Sequence, residues 1–217
     1  MLNNFDQTKQ DAKIIGLFPN PVYVTKRDSN LDSTEEKEIE SIIKEGTCKV
    51  GDLDYYTNDT YIFDSKLKNL KEFCEHHIKI YVKEVLSPKE ELDFYITTSW
   101  LNVVEPGGDI LQHTHANSIV SGVFYISTED GDGIKFIDPN IKLRDLLQFE
   151  PKDYHVWNST GWSLSSKKNE LMLFPGWLNH QVVPNEKAST DRISLSFNTF
   201  VKGIFGEKGG LSELILK

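Results

Sequence analysis

The sequence predicts a mainly β fold, a sandwich or barrel with helices packed outside it. Three observations carry this. Up to about residue 90 the chain is rich in Lys, Glu and helix formers; from Leu92 onward it turns to β-branched and aromatic runs. Those runs are short and are separated by turn sequences: Glu-Pro-Gly-Gly at 105–108, Glu-Asp-Gly-Asp-Gly at 129–133, Asp-Pro-Asn at 138–140 and Pro-Gly at 175–176. The helices upstream carry apolar stripes that need a surface to cover, and a sheet supplies one.

Taken in order, 14–26 (IIGLFPNPVYVTK) reads as strand material interrupted at Pro19 and Pro21. A helix is expected from Ser33 to about Lys44, with Ser33 and Glu36 as a capping box. A second should run from about Ser65 to Val85, capped by Asp64, since Leu67, Leu70, Cys74, Ile78, Tyr81 and Val85 recur at helical spacing. His76 and His77 lie on it as neighbours, about 100° apart, so they cannot chelate one metal together. Strands are then expected over Tyr95–Val104, Ser118–Ser127, Gly133–Ile137, His155–Asn158, Ser163–Leu164, Leu171–Phe174, His180–Val183 and Arg192–Val201. The whole, 1–217, reads as a single domain: a support layer over 1–90, a β core over 92–202 and a C-terminal extension over 203–217.

Composition narrows the function classes. With 217 residues, 38% hydrophobic and 26% charged, the chain is ordinary globular material with no repeat of fixed period. Its net charge of −9 repels phosphate backbones and argues against a nucleic-acid partner. No run approaches the length of a membrane span, and the N-terminus lacks a signal-peptide pattern. Cys48 and Cys74 match no zinc spacing and read as reduced thiols, one in a loop and one on a helix, which suits a cytoplasmic location.

Three histidines suggest a metal. In an extended stretch, His113 and His115 point to one face, near a barrel mouth. His180 opens a later strand after a sharp turn and would complete three ligands, leaving open positions on the metal; otherwise it is a hydrogen-bonded loop histidine. Asp191–Asn198 alternates cleanly. Ile193, Leu195 and Phe197 face one side, while Arg192, Ser194, Ser196 and Asn198 face the other. That polar face must line a cavity or meet solvent on an edge strand. In a cavity, the Arg192 fork suits a carboxylate that Ser194 can share.

Ser99-Trp100-Leu101-Asn102, His113-Thr114-His115, Ser121-Gly122-Val123-Phe124-Tyr125-Ile126, Phe136-Ile137-Asp138-Pro139, Leu173-Phe174-Pro175, His180 and Arg192-Ile193-Ser194 form an ordered set. In it, the chain resembles the 2-oxoglutarate- and Fe(II)-dependent oxygenases of marine bacteria and phages. The resemblance spans about Tyr95 to Phe200. It implies a double-stranded β-helix (jelly roll) with iron at its open end, His113 as first ligand and His180 as distal ligand. It further implies Arg192 and Ser194 on the far carboxylate of 2-oxoglutarate, with Tyr125 reaching the same cosubstrate and Asn102 lining the cavity. Where the wider superfamily carries a carboxylate, this sequence has His115. Direct ligation by His115 is favoured because it shares a face with His113; a carboxylate such as Asp109 or Asp138, or a site that binds metal poorly, is the alternative. The implied reaction is hydroxylation, by O2, of a peptidyl residue or a small metabolite, with release of succinate and CO2. A homodimer is compatible with it. The competing classes are a three-histidine cupin-type dioxygenase that ignores 2-oxoglutarate, and a non-catalytic jelly roll of the carbohydrate-binding or virion type.

Overall fold

The computed structural model describes residues 15–140 and 146–217. The chain runs β1 (Tyr23–Lys26), α1 (Ser33–Glu45), β2 (Thr47–Lys49), β3 (Asp54–Thr57), α2 (Ile62–Ser65) and α3 (Lys68–Tyr81), which continues as a π-turn over Val82–Leu86. The nine elements that follow are all strands: β4 (Asp93–Val104), β5 (Ile110–His113), β6 (Val120–Ser127), β7 (Gly133–Ile137), β8 (Gly161–Ser165), β9 (Glu170–Pro175), β10 (His180–Val182), β11 (Arg192–Phe205) and β12 (Leu214–Leu216).

The strands form two antiparallel sheets. The larger has the order β1-β9-β6-β11-β4-β3-β2, with β12 paired to the end of β11; the smaller is β5-β10-β7-β8. From β4 to β11 the chain alternates between the sheets except at the β7–β8 pair, which is the jelly-roll wind, and the two inner faces close on a small core of Val123, Tyr125, Ile134, Phe136, Met172, Phe174 and Leu178. The main core lies on the other face of the large sheet. There Ile39 and Ile42 of α1 and Leu70, Cys74, Ile78 and Tyr81 of α3 cover Leu101, Phe124, Leu171, Leu195 and Phe197. The helical layer is therefore the expected support.

Several elements depart from expectation. The α1 cap is Asp32, whose side chain accepts from the Thr34 and Glu35 N–H groups, and Glu35 closes the capping box; the register is one residue earlier than Ser33 and Glu36. The second helix is split at Lys66 and Leu67. Leu67 adopts φ 56° and its N–H donates to Glu38, so Asp64 sits inside the short α2 instead of capping a long helix. His155–Asn158 is a turn, because the Asn158 side chain accepts from the His155 N–H and the Asn158 N–H donates back to the His155 carbonyl. Within 14–26, residue 14 lies outside the described residues and only Tyr23–Lys26 is a strand. Cys48 lies on the short strand β2, and Cys74 is buried on α3.

Candidate active site

The metal-type cluster is built by backbone register. His113 ends β5 and His180 begins β10, and the two are direct cross-strand partners. His115 lies two residues past the end of β5, anchored by its N–H donating to the Gly176 carbonyl at 2.8 Å. The ring centroids are 4.4 Å apart for His113–His180 and 5.1 Å for His115–His180, the latter pair nearly parallel. One ring nitrogen from each residue lies within 4.8 Å of the others.

Their tautomers follow from their partners. His180 Nδ1 donates to the Leu178 carbonyl at 2.9 Å, and His113 Nδ1 to the Leu111 carbonyl at 2.7 Å. A carbonyl only accepts, so in each neutral ring Nε2 carries the lone pair. His115 Nε2 stands 3.3 Å from His180 Nε2. Burial, reinforced by the neighbouring histidines, holds His115 down to about 4 and His180 down to about 3, so both are neutral at pH 7.

Among the described residues this is the one cluster of at least three metal-ligating side chains, and it contains no carboxylate. Asp109 is exposed ahead of β5. Asp138 Oδ1 accepts from the backbone and side-chain nitrogens of Asn140 in a turn.

The facing wall is β11. It is not an edge strand: it lies between β4 and β6, so its polar face is enclosed. Arg192, Ser194 and Ser196 line the same cavity of about 90 Å³ as the three histidines. Tyr125 and Asn102 are the partners of Ser194 on the two neighbouring strands and line it too. Asn102 is held on both sides, accepting from Trp100 Nε1 at 3.0 Å and donating to Ser196 Oγ at 2.8 Å. Trp100, for which core packing is the plainer sequence reading, lines this cavity with its ring 5.9 Å from that of His115. The hydrophobic part of the lining, Ile110, Val123, Ile134, Phe174 and Val182, carries no polar pattern that would single it out.

Arg192 is 5% exposed, and its Nε has no hydrogen-bond partner. Burial lowers its pKa, offset by Tyr125 and by Asp132. Asp132 itself accepts from the Glu129 N–H and from Asn185 Nδ2, and Arg192 forms no ion pair among the described residues. Burial pushes the Tyr125 hydroxyl well above its usual range.

Residues 98–198, which contain β5, β10 and the first half of β11, match a family model described as "Putative 2OG-Fe(II) oxygenase". Over this segment, a little under half of its length, the chain is similar to the 2OG-Fe(II) oxygenases. Three solved structures show the shared fold. A 2OG-Fe(II) oxygenase family oxidoreductase from Burkholderia pseudomallei is 11% identical, covering 82% of this chain and 83% of that one, with a TM-score of 0.54. A prolyl-4-hydroxylase from Pseudomonas putida is 14% identical, covering 82% and 92%, with a TM-score of 0.54. HygX from Streptomyces hygroscopicus, solved with nickel, 2-oxoglutarate and hygromycin B, is 10% identical, covering 83% and 82%, with a TM-score of 0.53. No curated protein matches the chain in sequence.

The match over this segment supports a 2-oxoglutarate-dependent dioxygenase and weighs against the non-catalytic jelly-roll reading. Its cofactor is Fe(II) and its cosubstrate 2-oxoglutarate. The residues fit both: three converging imidazoles for the metal, and a buried guanidinium with an orphaned donor for a carboxylate.

Proposed function

We propose that His113, His115 and His180 hold the Fe(II), and that Arg192 and Ser194 hold the far carboxylate of 2-oxoglutarate. One observation carries this reading: a single small cavity has three neutral imidazoles at one end and a buried, partly unsatisfied arginine at the other. When bound, the iron supplies the redox chemistry that couples decarboxylation of 2-oxoglutarate to oxidation of a substrate C–H bond by O2.

The protein's own residues orient and enclose. The Leu178 and Leu111 carbonyls lock the His180 and His113 rings in the tautomer that presents Nε2. Asn102 and Ser196 brace the cavity wall by their mutual hydrogen bond, and Tyr125, a neutral hydroxyl, would donate to the carboxylate held by Arg192. Phe174 and Ile134 exclude water, which strengthens the carboxylate–guanidinium pairing. Three neutral ligands leave the full metal charge uncompensated by protein, so the dianionic cosubstrate is its principal counter-charge. The substrate class is a peptidyl residue or a small metabolite.

The test needs no substrate. The Fe(II)-loaded protein is mixed with 2-oxoglutarate without oxygen, and the visible charge-transfer band of the chelate is recorded. The band is expected in wild type, absent in His180→Ala and weakened in Arg192→Ala. A wild-type protein that takes up no iron and shows no band sinks the assignment of these residues. A band indifferent to Arg192 moves the carboxylate site elsewhere.

A further inference from the structure

A groove of about 710 Å³ opens at the edge of the sandwich, next to the histidine cluster but outside its cavity. The two adjoin through β7 and the turn before β10. Phe136 lines the groove and is the cross-strand partner of His180; Leu178 lines it and accepts the His180 Nδ1 hydrogen. One side of the groove is the lead-in to β1. There Gly16 packs so closely on Trp157 that a Cβ would come within 2.9 Å of the indole ring. The other side is β8, with Trp162 and Leu164.

Its surface is apolar and open to solvent. Phe18 is 91% exposed, Trp162 41% and Trp157 39%. Asp138 is the one charged side chain among the described lining residues. A concave apolar surface of this size on a soluble chain is a binding site in want of an occupant.

The strand beside it narrows the occupant. β8 is the last strand of the small sheet, and among the described residues nothing pairs with its outer side. Trp162 and Leu164 stand opposite Phe136 and Ile134 in register, so they share the inward face. A strand added to β8 would satisfy that free edge and send every second side chain onto the same face, into the groove.

We propose that this groove docks an extended, uncharged polypeptide segment as an added strand on β8, and that it thereby holds a peptidyl substrate. The second half rests on the oxygenase reading above; the docking itself does not. An added strand stands three strand spacings from β10, about 14 Å, or about four extended residues. The docked segment is therefore not the oxidised residue. It anchors a chain whose oxidised residue lies several positions away, at the metal cavity. A small metabolite would have no use for a groove that runs along a strand edge.

The test uses the full chain, metal-free in chelator, panned against a random dodecapeptide library. Enriched peptides should carry few charges and apolar residues at alternate positions. A synthetic enriched peptide should slow amide exchange at Gly161–Ser165. N-methylation of alternate backbone nitrogens should weaken it more than tenfold. Trp157→Ser and Trp162→Ser, both at solvent-accessible positions, should each do the same. Because binding is read on metal-free protein, the result stands apart from the fate of the metal assignment. Absence of enrichment, enrichment unchanged by both tryptophan substitutions, or protection elsewhere in the chain would overturn the proposal. An N-methyl scan without effect would also overturn it, leaving the groove to a compact apolar ligand.

Discussion

Arg192→Met should separate the needs of the cosubstrate from those of the fold. In the free protein Arg192 is a buried cation with an unpartnered Nε and no ion pair among the described residues. An unsatisfied buried donor costs about 1–3 kcal/mol, and Met has the length and flexibility to fill the space. The one opposing effect is the Asp132 charge, which keeps its hydrogen bonds from Glu129 and Asn185 in the variant. The free variant should therefore match or exceed wild type by about 1 kcal/mol, a rise of about 2–4 °C in Tm for a domain of this size. The loss falls on 2-oxoglutarate. A charge-assisted pair with a carboxylate is worth about 3 kcal/mol, which is about a hundredfold in Kd. Thermal unfolding with and without 2-oxoglutarate reads both quantities at once, since a ligand that binds only the folded state raises Tm. Wild type should show the rise and the variant should lose most of it. A variant that is more than about 2 kcal/mol less stable, yet retains the 2-oxoglutarate shift, would refute the reasoning and make Arg192 a structural partner of Asp132.

Three further outcomes follow from the same contacts. His115 and His180 stay neutral in the fold down to about pH 4 and about pH 3, whereas the unfolded chain takes up those protons near pH 6.5. Metal-free stability is thus full above pH 6.5 and falls as the pH drops from there toward the folded values; denaturant midpoints against pH should slope less in His180→Gln, and equal slopes would exclude this linkage. A Cβ on Gly122 would lie 2.1 Å from Phe197 Cζ on the facing strand, so Gly122→Ala should cost about 1–3 kcal/mol in urea melts, with Phe197→Leu recovering part of it. Arg27 Nη1 pairs with both oxygens of the buried Glu35, at 2.9 Å each, so Arg27→Ala should destabilise by about 3 kcal/mol in urea melts; a change below about 0.5 kcal/mol would mean that the pair contributes little to the fold.

Where local pattern and tertiary role coincide, the sequence was legible. The alternation over 192–197 separates core from cavity residue by residue, because a central strand with one dry and one wet face leaves that period in its composition. Gly133–Ile137 is found at the expected bounds, set by turns on either side. The β2–β3 hairpin was invisible: three- and four-residue strands of mixed polarity carry no period. The break at Leu67 was hidden inside an apolar repeat that runs unbroken through a left-handed residue. Trp100 stayed ambiguous because an aromatic on a strand face packs a core and walls a cavity with the same pattern. The groove beside β8 draws on two segments more than 130 residues apart, Ile15–Asn20 and Gly161–Leu164, which no local reading connects.

The cross-strand pairing of His113 with His180 means that strand register by itself brings these two proposed ligands side by side. Metal uptake should then behave as docking onto a rigid template, with little heat-capacity change and no gain in secondary structure. The same economy concentrates the risk. β10 is three residues long, with an irregularity between His180 and Val182. A slip of one residue would rotate His180 to the outer face and bring Gln181 inward, so the catalytic competence of a 217-residue protein hangs on the phase of its shortest strand pairings.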